Sequence, residues 1–525
     1  MKKIFMVIFI LVFLAACTDR EKKNESESNP DEHTQQEEQN SSETQNNDTS
    51  NDDTTEEETV SQKNKNFTNI LKELQPSEID QEAVEAFTAQ TPEAGNYATY
   101  DIELNVNEEG WIDVVATIQV ENQSKDEWDQ VAFYFIPQAF LEEHKPSYSE
   151  DSGQLENFQV THNNQKLNHK FEKGYFTVDL EEKMTPESSK TLTISYRYLP
   201  ALNGIRLKRT ESSIVLAQWY PMLATYQHVE WNINAYEPAG ESYFTSFGQY
   251  HITITAPDNY YLASTAVNEN HETTEVTRQL TAEQVPDFLI GLFDKDAWGV
   301  LTDKVNEQTL RLFYEKENKD IATKTLKSAK QTLGDFQSLI GPYPYQELDI
   351  LMNGGGMEYP GVIEVSTADR PFAEGEHTLI HEVAHQWFYF QVINDPFNEG
   401  WLDESLTELA TEAYLMKKYN DEEAATEFSR NIGGPKGSKE VTVNQPLDEF
   451  EKGTVFKLVY GDAVVRLYDF FEKNGGPDAI FKFLNAYYEK FQHKQVTTQE
   501  FVRFFQTYFE EDYSRYLDWF LEYEK

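Results

Sequence analysis

A chain of 525 residues is long enough for two or three domains with sizeable cores. Its formal net charge of −48 makes nucleic acid an unexpected partner, since a phosphate backbone would be repelled. Cys17 is the single cysteine, which excludes an intramolecular disulfide.

Met1-Lys2-Lys3 precedes an apolar run from Ile4 to Ala16, a charged start and short hydrophobic stretch of the secretory-signal kind. Residues 1–16 are therefore expected to be a lipoprotein signal peptide, because Leu14-Ala15-Ala16-Cys17 resembles the lipobox of bacterial lipoproteins. That resemblance implies cleavage before Cys17 and a lipid on its sulfur, so that the protein is held at the membrane on its extracytoplasmic side; two acyl chains anchor stably where one is marginal. Residues 18–66 carry 15 acidic and 5 basic groups, with Val60 as the one hydrophobic side chain. Such a segment cannot bury enough to offset its ordering entropy, and residues 17–66 are expected to form a disordered acidic tether.

Residues 67–300 read as an all-β, sandwich-like amino-terminal domain. Tyr100, Ile102, Leu104 and Val106 alternate with polar residues, and after a Gly110-containing loop the pattern resumes at Ile112, Val114, Ala116, Ile118 and Val120, the signature of a β-hairpin. Val131–Ile136, Tyr175–Leu180, Leu192–Tyr198, Ile214–Ala217 and Tyr250–Thr255 follow as short β-branched or aromatic runs. Trp219-Tyr220 and Tyr243-Phe244 are read as core.

Residues 301–430 carry the chemistry. Thr309–Tyr314 predicts a strand and Ile321–Ile340 an amphipathic helix stopped by Gly341-Pro342, then Leu348–Leu351 a strand leading into Gly354-Gly355-Gly356-Met357-Glu358. Consecutive glycines let a backbone approach a ligand closely. His381-Glu382-Val383-Ala384-His385 follows in a stretch, His377–Val392, expected to be helical, which puts the two imidazoles one turn apart on one face with the glutamate beside them. Glu404 comes after 18 intervening residues in a second helix-compatible stretch. Two imidazoles and one carboxylate leave a position on zinc for water, the mark of a catalytic site, and His381, His385 and Glu404 are the expected ligands of one Zn²⁺. In that reading Glu382 takes a proton from the attacking water and passes it to the leaving amine. Glu408, one turn beyond Glu404, is either a hydrogen-bond partner of a ligand imidazole or, as the preferred reading, an exposed helix charge.

The spacing resembles the gluzincin metallopeptidases. Gly355-Gly356-Met357-Glu358-Tyr359 before His381-Glu382-Val383-Ala384-His385 and Trp401-Leu402-Asp403-Glu404 narrows the resemblance to the aminopeptidase N family, over about residues 340–410. It implies a thermolysin-like α+β catalytic domain and a substrate-binding segment of Gly355, Gly356, Met357 and Glu358, in which the Glu358 carboxylate holds the free α-ammonium of a peptide. Tyr359 stands where the family has Asn. The resemblance also implies that the β-domain lends the cleft one polar side chain, for which Gln218 is a candidate that the local pattern leaves unassigned. Tyr460 falls 56 residues beyond Glu404, where the family has a tyrosine donating to the developing oxyanion, with Tyr468 as fallback.

Residues 431–525 read as a short α-helical carboxy-terminal region: Val455–Phe471, Pro477–Tyr488 and Thr497–Tyr508 as helices, the last opened by a Thr497/Glu500 capping box. The expected whole is a lipid-anchored, extracytoplasmic zinc aminopeptidase acting on peptides with free amino termini. A zinc endopeptidase with the same catalytic residues and a non-catalytic surface peptide-binding lipoprotein stand as alternatives.

Overall fold

Period-two burial builds the amino-terminal half. Strand Asn96–Val106 buries every second side chain and pairs antiparallel with Ile112–Asn122, as the alternation requires. The computed structural model describes residue 79 and residues 81–524 apart from 147–148, 150, 205, 268–275 and 434–441. The signal peptide, Cys17 and the tether lie outside the described residues.

The hairpin sits in a seven-stranded sheet with Thr277–Val285, Gly248–Thr255, Ser189–Leu199, Gln154–His162 and Gln165–Lys166. A four-stranded sheet containing Trp128–Tyr134 and Tyr175–Met184 shares its core, as does one face of a five-stranded sheet containing Leu207–Arg209, Ser213–Leu216, Tyr260–Ser264 and Ile290–Asp294. Trp219, Tyr220 and Tyr243 are core residues, as expected. The strand expected over Val131–Ile136 ends at Tyr134, and Pro137 opens a 3₁₀ turn, Ile136–Phe140.

The five-stranded sheet joins the two halves. Ile214 and Leu216 point into the amino-terminal core, whereas Val215 and Ala217 pack with Phe313, Leu351, Met357, Tyr359 and Val362 of the next sheet. That next sheet runs in the order Trp298–Val305, Gln308–Glu315, Glu347–Met352, Val362–Glu364, Met357–Tyr359. Its first strand spans the residue-300 boundary expected between the domains. Leu310 and Leu312 face the helices, and Arg311 and Phe313 face the amino-terminal half. A sheet covered on both sides reads as a continuous apolar run, which these strands do. Helix Lys319–Leu339 links two parallel strands and buries Ala322, Leu326, Ala329, Leu333 and Phe336 on one stripe.

Below the sheet lie helices Phe372–Ala384, Trp401–Tyr419, Ala463–Lys473, Pro477–Phe491 and Thr498–Tyr508. One hydrophobic core joins Val84 and Phe87 to residues from Leu310 to Leu521, so the carboxy-terminal helices complete the core of the region bearing the histidines. Two local expectations change. The helix expected over Val455–Phe471 opens with a π-helical segment, Phe456–Asp462. The capping box forms in one direction only: Thr497 accepts from the Glu500 amide at 3.3 Å, but the Glu500 carboxylate is taken by the Gln90 amide at 2.7 Å and by Arg503.

Candidate metal and peptide site

The histidine helix, Phe372–Ala384, ends where it is needed. His385 is its C-cap and the chain then leaves the helix, which corrects the expected extension to Val392. The reason is in the sequence: Trp387, Phe388, Tyr389 and Phe390 are consecutive, and all four are buried, which one face of a helix cannot achieve. The tight turn brings the Phe388 carbonyl to 3.1 Å from His385 Nδ1.

His381 Nε2 and His385 Nε2 lie 3.1 Å apart, and each is 3.2 Å from Glu404 Oε2. Three metal-ligating atoms thus converge at separations that suit a tetrahedral ion with bonds of about 2 Å. Glu404 is in the first turn of helix Trp401–Tyr419, where the helix dipole favours a carboxylate. Burial opposes its ionisation, but His385 and His381 outweigh burial and hold Glu404 well below the usual range.

Glu408 corrects the preferred reading of an exposed charge. It is fully buried, its Oε2 is 2.8 Å from His381 Nδ1 and its Oε1 is 2.9 Å from His377 Nε2. Each ligand histidine therefore has an acceptor on its Nδ1, Glu408 for His381 and the Phe388 carbonyl for His385, which turns Nε2 toward the metal position.

Glu382 is buried, and its Oε2 has no hydrogen-bond partner among the described residues. Burial first, then Glu404 and Glu241, raise its proton affinity well above that of an ordinary carboxyl, against the pull of His381. An orphaned buried carboxylate beside three convergent donor atoms is what a metal with a bound water would satisfy, and the residues fit zinc.

Glu358 lies on edge strand Met357–Tyr359 and is 7% exposed. Carboxylate oxygens of Glu358, Glu241 and Glu404 lie within 4.8 Å of one another, and so do ligating atoms of Glu358, Glu382 and His385. Burial and then Glu241, Glu382 and Glu404 hold Glu358 well above the normal carboxyl range, with Arg206 opposing. Arg206 Nη1 stands 2.5 Å from Glu241 Oε1. Four carboxylates crowded together create a demand for cations, the electrostatic counterpart of a dication and an ammonium group. Gly356 faces this cluster: a Cβ there would lie 3.1 Å from Thr378 Cγ2 and 3.4 Å from Glu382 Oε1.

The Tyr460 ring stacks on His381 at 5.9 Å between centroids, and its hydroxyl is hydrogen-bonded to Glu404. Burial and Glu404 keep it protonated and hence a donor. Tyr468, the fallback, is packed in the helical core with Arg430 over its ring. Gln218 is buried and donates to the Tyr243 hydroxyl and Asp287, each at 3.0 Å, so the amino-terminal half reaches the site through Glu241. No pattern around Glu241 marks it in the sequence. Gln386 was also missed; its amide accepts from the Gly361 N–H at 2.9 Å and donates to the Tyr359 carbonyl at 3.0 Å, fastening the turn that follows Glu358 to the chain just past the histidine helix. Beside Tyr460 and Glu404 a cleft is walled by Phe397, Trp401, Leu447, Phe450 and Val459, with Glu241 at its edge.

A two-histidine, one-glutamate triangle beside a buried, unpartnered glutamate is a donor set that fits a zinc ion with an open position. Residues 324–521 match the Peptidase family M1 domain. Leukotriene A-4 hydrolase of Xenopus laevis is 26% identical over 260 residues, 45% of this chain and 41% of that protein. Aminopeptidase B of Mus musculus is 26% identical over 211 residues, 35% of this chain and 30% of that protein. The matches thus span less than half the length of these relatives. In fold, the chain resembles an M1 zinc metallopeptidase from Deinococcus radiodurans with a TM-score of 0.54 at 15% identity, covering 82% of this chain and 94% of that one. Leukotriene A4 hydrolase from Saccharomyces cerevisiae gives a TM-score of 0.55 at 16% identity, covering 82% and 70%.

Proposed function

We propose that the protein is a zinc aminopeptidase that removes amino-terminal residues from peptides, held at the outer face of a bacterial membrane by a lipid on Cys17. The observation that carries the peptide chemistry is the buried Glu358 carboxylate grouped with Glu241, Glu382 and the ligand set. A carboxylate pair at one end of a catalytic centre binds a free α-ammonium and offers nothing to a blocked or internal peptide. A variant of the Deinococcus radiodurans enzyme bound to a Tyr-Ser-Ala substrate supports peptides as the substrate class.

His381, His385 and Glu404 would hold a single zinc ion, which when bound polarises water and carbonyl as a Lewis acid. Glu382 takes the proton of the attacking water and delivers it to the departing amine, a task suited to a carboxyl whose proton affinity burial has raised. Tyr460 donates its hydroxyl to the carbonyl oxygen as negative charge grows there. The apolar walls around Phe397 and Phe450 favour an apolar substrate side chain. The location rests on the sequence before residue 67.

The test uses the full-length protein and one peptide with a free or acetylated amino terminus, with and without a chelator. Chelator-sensitive cleavage of the free peptide alone is expected. Equal cleavage of both forms would make the protein an endopeptidase, and no cleavage by the zinc-loaded protein would favour a binding role. In Tyr460→Phe, kcat should fall about 10²–10³-fold while peptide binding persists.

A further inference from the structure

The segment bearing Glu358 rests on a second buried carboxylate, Glu364, and we infer that Glu364 with its counter-ion Lys208 is the positioning device that sets Glu358 for amino-terminus recognition. The inference rests on the aminopeptidase reading. Glu364 is 0% exposed and lies on strand Val362–Glu364, which pairs antiparallel with the edge strand Met357–Tyr359. Three groups converge on it. Asn353, where the segment begins, donates its amide to Oε2 at 2.6 Å; Tyr359, where it ends, donates its hydroxyl to Oε1 at 3.3 Å; Lys208 Nζ is 2.8 Å from Oε2. Lys208 comes from strand Leu207–Arg209 of the amino-terminal half, 156 residues away in the chain.

The geometry ties this cluster to Glu358 through the strand itself. Side chains alternate across a strand, so Met357 and Tyr359 share one face, which packs into the apolar layer between the halves, and Glu358 is displayed on the other. Pinning the Tyr359 hydroxyl therefore fixes the direction in which Glu358 projects. Gly355 lets the segment lie directly on Glu364: a Cβ there would meet Glu364 Cβ at 2.8 Å and Oε2 at 3.0 Å. Lys208 is required because Glu364, fully buried, would without it be an anion lacking a counter-ion. Tyr359, standing where an asparagine was expected, is thus a fastening of the segment, its side chain fully buried in the layer between the halves.

The test measures the binding of a tripeptide with a free or acetylated amino terminus by calorimetry in the hydrolysis-deficient Glu382→Ala protein, alone and with Tyr359→Phe, Lys208→Met or Lys208→Arg added. Zinc content and the thermal midpoint are recorded alongside. The free peptide should bind the Glu382→Ala protein more tightly than the acetylated one. Tyr359→Phe and Lys208→Met should each reduce that preference about tenfold by weakening the free peptide alone, with Lys208→Arg restoring most of it and zinc content unchanged. No preference in the Glu382→Ala protein would overturn the aminopeptidase reading and this inference with it. A preference kept within twofold in Tyr359→Phe, or equal weakening of both peptides, would overturn the positioning role alone. Should Lys208→Met fail to fold, Tyr359→Phe decides.

Discussion

Glu382 and Glu404 are both buried carboxylates in one site, yet their surroundings drive them apart. Glu404 sits between two imidazoles that favour its charge, while burial and then the neighbouring carboxylates raise the proton affinity of Glu382. A site with one anionic ligand and one proton acceptor follows from that split. Glu382→Gln keeps the shape and removes the base, so kcat should fall about 10²–10⁴-fold with stoichiometric zinc retained, as read by steady-state kinetics and metal analysis. A parallel loss of zinc would assign Glu382 to binding the metal. Sequence spacing was sufficient for His381, Glu382, His385 and Glu404, because a helix turn and a fixed loop length convert directly into proximity. It was insufficient for Glu241 and Lys208, which reach the site through folding of the amino-terminal half and carry no local pattern.

At the scale of elements, two helices meet through matching four-residue stripes. His377, His381 and His385 lie on one helix and its C-cap, with Glu404 and Glu408 on the other, and the contacts interleave: His385 with Glu404, Glu404 with His381, His381 with Glu408, Glu408 with His377. These stripes are visible in the sequence, since both spacings are four. Burial of the carboxylate stripe is not, because it depends on the second helix's facing the histidines. Glu408→Ala should lower zinc affinity about 10–100-fold in a competition assay with a chromogenic chelator, whereas an exposed charge would leave it unchanged.

Glu399 gives a pH signature at the approach to the same helix. Its carboxylate accepts from the Thr498 amide at 2.7 Å, and burial raises it to about 7. A folded value above the unfolded one means that the protonated form stabilises the fold. The contribution is full below about pH 4.5 and is lost as pH rises through about 7. Glu399→Gln keeps the acceptor and cannot ionise. The stability of the wild type relative to this variant should fall by about 1–2 kcal/mol between pH 4.5 and 8, the residue's partial exposure having been discounted. Parallel urea-midpoint profiles would show that Glu399 is not the group responsible.

Over the whole molecule, the candidate site is assembled at a layer between two halves. Phe313, Leu351, Met357 and Tyr359 of one sheet pack on Val215, Ala217 and Phe293 of another, and the same layer holds Arg311 with Asp349 and Asp349 with the Ser264 amide at 3.0 Å. Phe313→Ala should cost about 3–5 kcal/mol in urea unfolding. Because Met357 and Tyr359 belong to the layer, the variant should also weaken free peptides more than acetylated ones; a stability loss without that change would separate packing from recognition.

The sequence by itself determined that His381, His385 and Glu404 converge with Glu382 beside them, the glycine segment with Glu358, most strands and the two helices that bring these side chains together. These follow from periods of 2 and 3.6 and from short spacings, which are local quantities. The tertiary structure alone decided that Glu408 is buried between two histidines and that Glu241, Arg206, Lys208 and Glu364 join the site. Those outcomes depend on which faces pack together, for Lys208 and Glu364 across 156 residues of chain, and no local period encodes that choice.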